Sequence, residues 1–284
     1  MKFVDKAIRV HSSTEAGSWP LRVLSSLGIF FALTGLASGG QHQTDISPGF
    51  SPLTTGQVVE RLVSMNLRRA QALHSYHGTR TYRAEYRGFL STTNAEMAVD
   101  VDYRAPGTKQ FTVRSSTGSK LIRDKVFKKL LEAEEDALSA DAQRCAAINA
   151  ENYDFKMVGY ESTALRSMYV LVVEPRTKSR FLFRGRVWID ANDFAVVRLE
   201  AEPARSPSFW TKNSKIEQSY QKVGNFWLPQ RNHSISSIRI GGRAELNIEY
   251  LSYEITASDP VDSVSALEGS RSADPSFAKI PNGH

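Results

Sequence analysis

Cysteine occurs once in the 284 residues, at Cys145. No intrachain disulfide can form, so stability must come from packing. The position also excludes lipid attachment behind an export signal, because a bacterial lipoprotein carries its cysteine directly after the apolar run and Cys145 lies about a hundred residues later. Cys145 falls among Ala142, Ala146, Ala147 and Ile148 in a helical pattern and reads as a buried structural thiol. An excess of one charge is also missing: 36 basic residues stand against 30 acidic ones, a net +6. That leaves no dense basic face for nucleic acid. No GxSxG elbow, HExxH helix or phosphate-cradling glycine loop occurs, which argues against the common hydrolase, metalloprotease and nucleotide chemistries. The expectation is a protein that is not an enzyme and needs no cofactor or metal. There is no internal repeat.

The apolar run from Val23 to Leu36 is interrupted by Ser25, Ser26, Gly28, Thr34 and Gly35 and falls short of the roughly 20 apolar residues a spanning helix needs. Lys2, Lys6, Arg9 and Arg22 precede it, and Ala37, Ser38, Gly39 and Gly40 follow. That is the layout of an export signal cleaved near residues 37–40, so residues 1–39 are expected to leave a periplasmic chain. Residues 40–54, with Pro48 and Pro52, read as a flexible leader, and residues 257–284, rich in Ser, Asp, Pro and Gly, as a disordered tail. With 41% hydrophobic and 23% charged residues, the part between them has ample material for one core.

Thr54 or Thr55 can cap a helix whose Val58, Val59, Leu62, Val63, Ala70 and Leu73 share a face. Short segments rich in Tyr, Thr, Val and Phe then read as antiparallel strands: 76–89, 97–103, 109–114, 155–161 and 168–174. Five more follow at 181–190, 195–202, 214–223, 226–240 and 243–255, separated by turn residues at 190–193, Gly224-Asn225 and Gly241-Gly242. In the last, Ala244, Leu246, Ile248 and Tyr250 alternate with polar residues. Leu251, Tyr253 and Ile255 shift the phase and predict a bulge. Between the two strand groups, 125–148 predicts one amphipathic helix with Phe127, Leu130, Leu131, Leu138, Ala142, Cys145 and Ile148 inward and Lys128, Lys129, Glu132, Glu135 and Asp136 outward. The fold class expected is α+β: a strongly curved antiparallel sheet, an unclosed half-barrel, with amphipathic helices over its concave face.

Over residues 55–256 the order of these patterns resembles the LolA/LolB-like superfamily of periplasmic lipoprotein-sorting and lipid-carrier proteins. The match lies in Tyr103-Arg104-Ala105-Pro106-Gly107 before Phe111-Thr112-Val113, and in Ser116 to Leu121, which is similar to that family's polar turn into a next strand. It continues in Val187-Trp188-Ile189-Asp190 before Ala195 to Leu199, and in Tyr220 to Pro229. The resemblance implies a lipid-shielding carrier or chaperone for outer-membrane lipoproteins, with acyl chains in the concavity, a lid that includes Val126 to Ile148, and Arg104 as the latch on that lid. The segment between Leu121 and Phe155 is longer and more charged than in the compact carriers. Partners implied are lipid or lipoprotein acyl chains, an inner-membrane donor and an outer-membrane acceptor.

Strand alternation and aromatic placement nominate Tyr82, Tyr86, Val101, Tyr103, Phe111, Val113, Val187, Ile189, Phe226, Leu246 and Ile248 as ligand-lining, and each of these residue types also serves an ordinary core. Phe209, Trp210 and Trp227 are candidate exposed docking groups. His74 and His77 form an HxxH with no third ligand nearby in sequence, so a solvated pair is the better reading. Asp190 and Asp193 read as turn residues. Arg80, Tyr82, Arg83, Tyr86 and Arg87 interleave bases with aromatics as a strand on nucleic acid does, but Glu85 and export oppose that. The alternative function is an envelope-stress sensor or regulator that binds lipid or a protein partner through the same half-barrel. Such regulators carry a second domain, for which the roughly thirty residues after Ile255 are too few.

Overall fold

The structure, a computed structural model, describes residues 53–206, 211–239 and 241–257. The expected signal, most of the leader, Phe209, Trp210 and the tail beyond Ala257 lie outside these residues. The first element follows from Thr54: its hydroxyl accepts from the Gln57 backbone N–H at 3.3 Å, and the Gln57 side-chain oxygen accepts from the Thr54 N–H at 2.9 Å. This capping box starts α1 (Thr55–Ala72), which buries Val58, Val59 and Leu62. Thr54→Ala is expected to cost about 1 kcal/mol, measured by urea denaturation.

Ten strands follow among the described residues, and they coincide with the ten segments the sequence singles out. Three come first: β1 (Leu73–Arg87), β2 (Thr92–Arg104) and β3 (Thr108–Gly118). A helical stretch separates them from β4 (Tyr153–Ser162), β5 (Ser167–Pro175), β6 (Phe183–Asp190), β7 (Val196–Pro203), β8 (Thr211–Val223), β9 (Phe226–Ile238) and β10 (Arg243–Ala257). All lie in one antiparallel sheet of order β3-β2-β1-β10-β9-β8-β7-β6-β5-β4. Every link from β4 to β10 joins neighbours, and β10 returns beside β1. Among the described residues β3 and β4 remain as free edges.

Ten strands at about 4.8 Å spacing would make a flat sheet some 40 Å wide, with nothing to bring its ends together. Here one core cluster gathers Val101 and Tyr103 of β2, Tyr82 of β1, Ile248 of β10, Ile216 of β8, Val187 of β6 and Tyr153 of β4. The sheet is therefore curved around its apolar face without closing: an unclosed half-barrel of the α+β class. Bulges serve the curvature. The expected one is at Leu251, where Arg80 pairs with Tyr250 and Thr79 with Ser252, leaving Leu251 unpaired and 61% exposed. Bulges also blunt both edges, at Arg114 of β3 and Val158 of β4, where a long flat edge would invite pairing with another chain. The β9–β10 hairpin turns through Gly241 and Gly242, both at positive φ, and a Cβ on Gly242 would sit 2.3 Å from the Arg87 carbonyl oxygen.

Because β3 and β4 lie at opposite edges, the chain between them must cross the open side of the half-barrel. It does so as α2 (Lys120–Ile122), a π-helical turn (Arg123–Phe127) and α3 (Lys128–Asp136), continuous in helical conformation, then α4 (Ala140–Ala146). The single helix expected over 125–148 is thus corrected in two ways. It starts earlier, directly after β3, so no strand follows the polar turn at Ser116 to Leu121. It also breaks at 137–139, where Ser139 adopts an extended conformation and caps α4 by accepting from the Ala142 N–H. The break resets the helical phase: Ala146 is buried and Cys145 faces outward. The expected buried thiol is an exposed one.

Candidate functional site

The helical crossing forms a lid on the concave face. Gly118, at φ 82°, leaves β3 where a Cβ would lie 2.5 Å from the Asn94 carbonyl oxygen, and the Ser119 N–H donates to that same oxygen at 2.8 Å. From there the helix runs back along β3. Its turn at Leu138 meets Gly107 of the β2–β3 connection, a Cβ on which would stand 3.8 Å from the Leu138 Cβ. Ile122, Phe127, Leu130 and Ala133 enter the core, and Phe127 meets Tyr82 with ring centroids 6.0 Å apart. α1 is tied to the β6–β7 turn by Arg69, whose guanidinium donates to the carbonyls of Asp193 and Phe194 at 2.9 and 3.1 Å. Burial lowers the Arg69 pKa to about 10 despite Asp193 and Asp190 nearby, so it remains a cation.

The inward stripe of β1 carries an ion where the strand pattern alone would put an aliphatic residue. Arg80, 3% exposed, donates to both carboxylate oxygens of Glu134 on α3 at 3.1 and 2.8 Å. Lys109 of β3, equally buried, donates to Oε1 of the same carboxylate at 2.6 Å. The rings of Tyr82, Phe111 and Tyr250 surround the Arg80 guanidinium at 5.2, 5.2 and 5.5 Å, a stabilising arrangement for a desolvated cation. Burial by itself would raise the Glu134 pKa, but Arg80 and Lys109 outweigh it and hold the carboxyl at about 2. Burial would lower Lys109, and Glu134 reverses that, leaving the ammonium above its ordinary value. All three groups are charged at neutral pH, so the buried cluster carries one excess positive charge.

The sign of the pH dependence follows. A carboxyl whose pKa is depressed by folding contributes fully above its unfolded value of about 4.5, and the contribution is lost as the pH falls toward 2. The lid contact is therefore expected to hold from neutral pH to about 5 and to weaken below it, an acid loss of stability that Glu134→Gln removes when melting temperature is followed against pH.

Beside Arg80 a space of only about 10 Å³ remains, lined by Tyr76, Val101, Glu134, Pro229, Tyr250 and Tyr253. That is about one water. Beside Arg80, with the lid in place, no room is left for a ligand.

Of the nominated lining residues, Tyr82, Val101, Tyr103, Val187, Ile189, Phe226, Leu246 and Ile248 are buried in the main core cluster, and Phe111 and Val113 pack against it. Tyr86 stands apart: its hydroxyl donates to the Gly241 carbonyl at 3.0 Å, bracing the β9–β10 turn. Arg104 ends β2 on the face opposite Tyr103 and is exposed, and the ion pairs from the sheet to the lid run from Arg80 and Lys109 to Glu134. Trp227 is not a free docking group. Its indole N–H donates to Asp193 at 2.8 Å, and Arg166 stacks on its ring at 4.6 Å. His77 pairs with Asp102 at 2.8 Å, and Asp190 accepts from the N–H groups of Asn192 and Asp193 at 3.0 and 2.8 Å, as a turn residue does. Arg83 faces outward between Glu96 and Glu249. Of the interleaved bases and aromatics on β1, Arg80 and Tyr82 are therefore internal. Among the described residues no group of three or more His, Cys, Asp or Glu is placed to hold a metal ion, and no helix is long and apolar enough to cross a membrane.

Sequence reasoning missed the Arg80, Lys109 and Glu134 cluster. Arg80 was legible as an inward residue, since it shares the β1 phase with Tyr76 and Tyr82. Its partner was hidden because Glu134 sits among Glu132, Glu135 and Asp136, and nothing local distinguishes the one that turns inward.

No family model matches the chain, and no curated protein matches it. Solved structures do. The chain is similar to an outer membrane lipoprotein-sorting protein domain from Vibrio parahaemolyticus at 11% identity and a TM-score of 0.35, covering 75% of this chain and 99% of that one. A LolA superfamily protein from Nitrosomonas europaea matches at 10% identity and a TM-score of 0.34, covering 75% and 97%. The MucA/MucB complex from Pseudomonas aeruginosa matches at 13% identity and a TM-score of 0.22, covering 72% and 99%.

Proposed function

We propose that the chain is a periplasmic carrier that binds lipoprotein acyl chains, or another lipid, against its concave face, and releases them without chemistry. The observation that supports this best is how the concavity is covered. Its apolar and aromatic wall is covered by α1 and by one helical crossing between two free edges, the crossing fastened at its centre by ions rather than by apolar packing alone. A permanent core gains nothing from that choice, since hydrophobic residues of similar volume in place of a buried ion cluster are often neutral or stabilising. A removable cover does gain from it. Ions can separate into water at little cost once the lid lifts, and the exposed wall then offers an extended greasy ligand the burial it needs.

The test is native mass spectrometry, with lipid extraction, on the chain purified without detergent from its own envelope. A bound lipid or acylated peptide is expected. A clean apo mass that persists when lipids are offered overturns the carrier reading.

The second reading, an envelope-stress sensor, draws on Phe89 and Leu90 at the β1–β2 turn, which are 98% and 92% exposed. Adjacent apolar side chains of this kind suit burial by a protein partner. Recovery of an inner-membrane regulator in a pull-down, lost in the double variant Phe89→Ser and Leu90→Ser, favours it.

A further inference from the structure

We propose that Arg80 and Lys109 form the seat for the oxyanion of an acyl ligand, and that the Glu134 carboxylate occupies this seat while the lid is closed. The inference rests on the carrier reading and adds the ligand's chemical class: a single acyl chain ending in a carboxylate or a phosphate. Glu134 already shows the geometry, since one carboxylate takes three N–H donors from two buried cations, with Oε1 shared between Arg80 and Lys109. Charge-assisted bonds of this type are the strong ones and recognise carboxylate and phosphate alike.

Two further buried donors have no partner among the described residues, the Arg80 Nε–H and the Tyr82 hydroxyl. They leave room for more bonds than Glu134 makes. Tyr82, Phe111 and Tyr250 flank the seat. An alkyl chain extending from a seated oxyanion would therefore meet apolar wall at once. The seat cannot hold Glu134 and a ligand together, because the free space beside Arg80 is about 10 Å³. An acidic ligand must displace Glu134, and with it α3. Without Glu134 the wall would hold two buried cations, a state that a neutral ligand leaves uncompensated and an anion compensates as Glu134 does. Ligand charge and lid release are the same event.

The experiment compares binding of oleate, oleoyl lysophosphatidate and monoolein to the full chain at pH 7.4, by titration calorimetry below the micelle concentration of each. The three share one acyl chain and differ in head group. The wild type is expected to bind at least one of the anions about tenfold or more tighter than monoolein, and the one preferred identifies carboxylate or phosphate. In the triple variant Arg80→Met, Lys109→Met and Glu134→Leu the preference is expected to fall to about unity while monoolein binding persists. Removing the ions together leaves no unpaired charge, so this variant keeps its fold, checked by circular dichroism. Equal binding of all three by the wild type, or a preference that survives in the triple variant, overturns the anion seat and leaves the carrier standing. No binding of any of the three to either protein overturns both.

Discussion

Glu134→Gln is expected to open the lid without unfolding the sheet. The substitution keeps the shape of the side chain and removes its charge, leaving the Arg80 guanidinium and Lys109 ammonium buried with no anion between them. Removing one partner from a buried ion pair costs about 3 to 5 kcal/mol when the other stays buried. Here they need not stay buried. Once α2, the π-helical turn and α3 lift away, both cations face the opened concavity, so the penalty falls on the closed lid rather than on the fold. A loss of about 3 kcal/mol raises the open population on the order of a hundredfold. Hydrogen exchange reads this directly. Amides of 120–136 are expected to lose about two orders of magnitude of protection, while those of the β6–β7 ladder keep theirs. Unchanged protection over 120–136 would mean that apolar contacts by Phe127 and Leu130 hold the lid and that the ions are incidental.

Alternation made most of the sheet legible from sequence. Leu246, Ile248 and Tyr250 against Glu245, Asn247 and Glu249 specify a strand with one dry face, and the phase change after Tyr250 announces the bulge that places Leu251 outside. Gly224-Asn225 and Gly241-Gly242 mark hairpins because only certain residues take the turn's backbone angles. The pairing of β10 with β1 has no local signal, because it joins residues more than 150 positions apart, such as Tyr82 and Ile248.

The lid was less legible. One hydrophobic stripe fits the sequence from Phe127 to Ile148, yet the backbone breaks at Ser139, whose preference for a cap outweighs a continuous helix; Ile148 still reaches the core, but Cys145 turns outward. Cys145 is the visible casualty. The ion cluster was illegible for another reason. A carboxylate on an acidic helix is usually solvated, and only the positions of Arg80 and Lys109 on two strands far away in sequence turn one of four into a buried partner.

The central claim, that the lid must move for a lipid to enter, can be tested by fixing it. Gly107 and Leu138 suit a staple, because the Cβ separation of 3.8 Å between them matches the usual spacing across a disulfide. Gly107 also lacks the positive φ that would resist a side chain. The double variant Gly107→Cys and Leu138→Cys, with the exposed Cys145 changed to Ser to prevent mispairing, would tether the lid turn to the β2–β3 connection. The bond constrains the far end of α3, only four residues beyond Glu134, so the carboxylate cannot leave Arg80 and Lys109 by more than a short distance.

Native mass spectrometry of this variant, offered lipid extract in its oxidised and then its reduced form, is the most direct measurement. The expected result is a clean apo mass when oxidised and a lipid-bound mass once reductant opens the staple. Equal lipid loading in both forms would contradict the lid and place the ligand elsewhere on the protein.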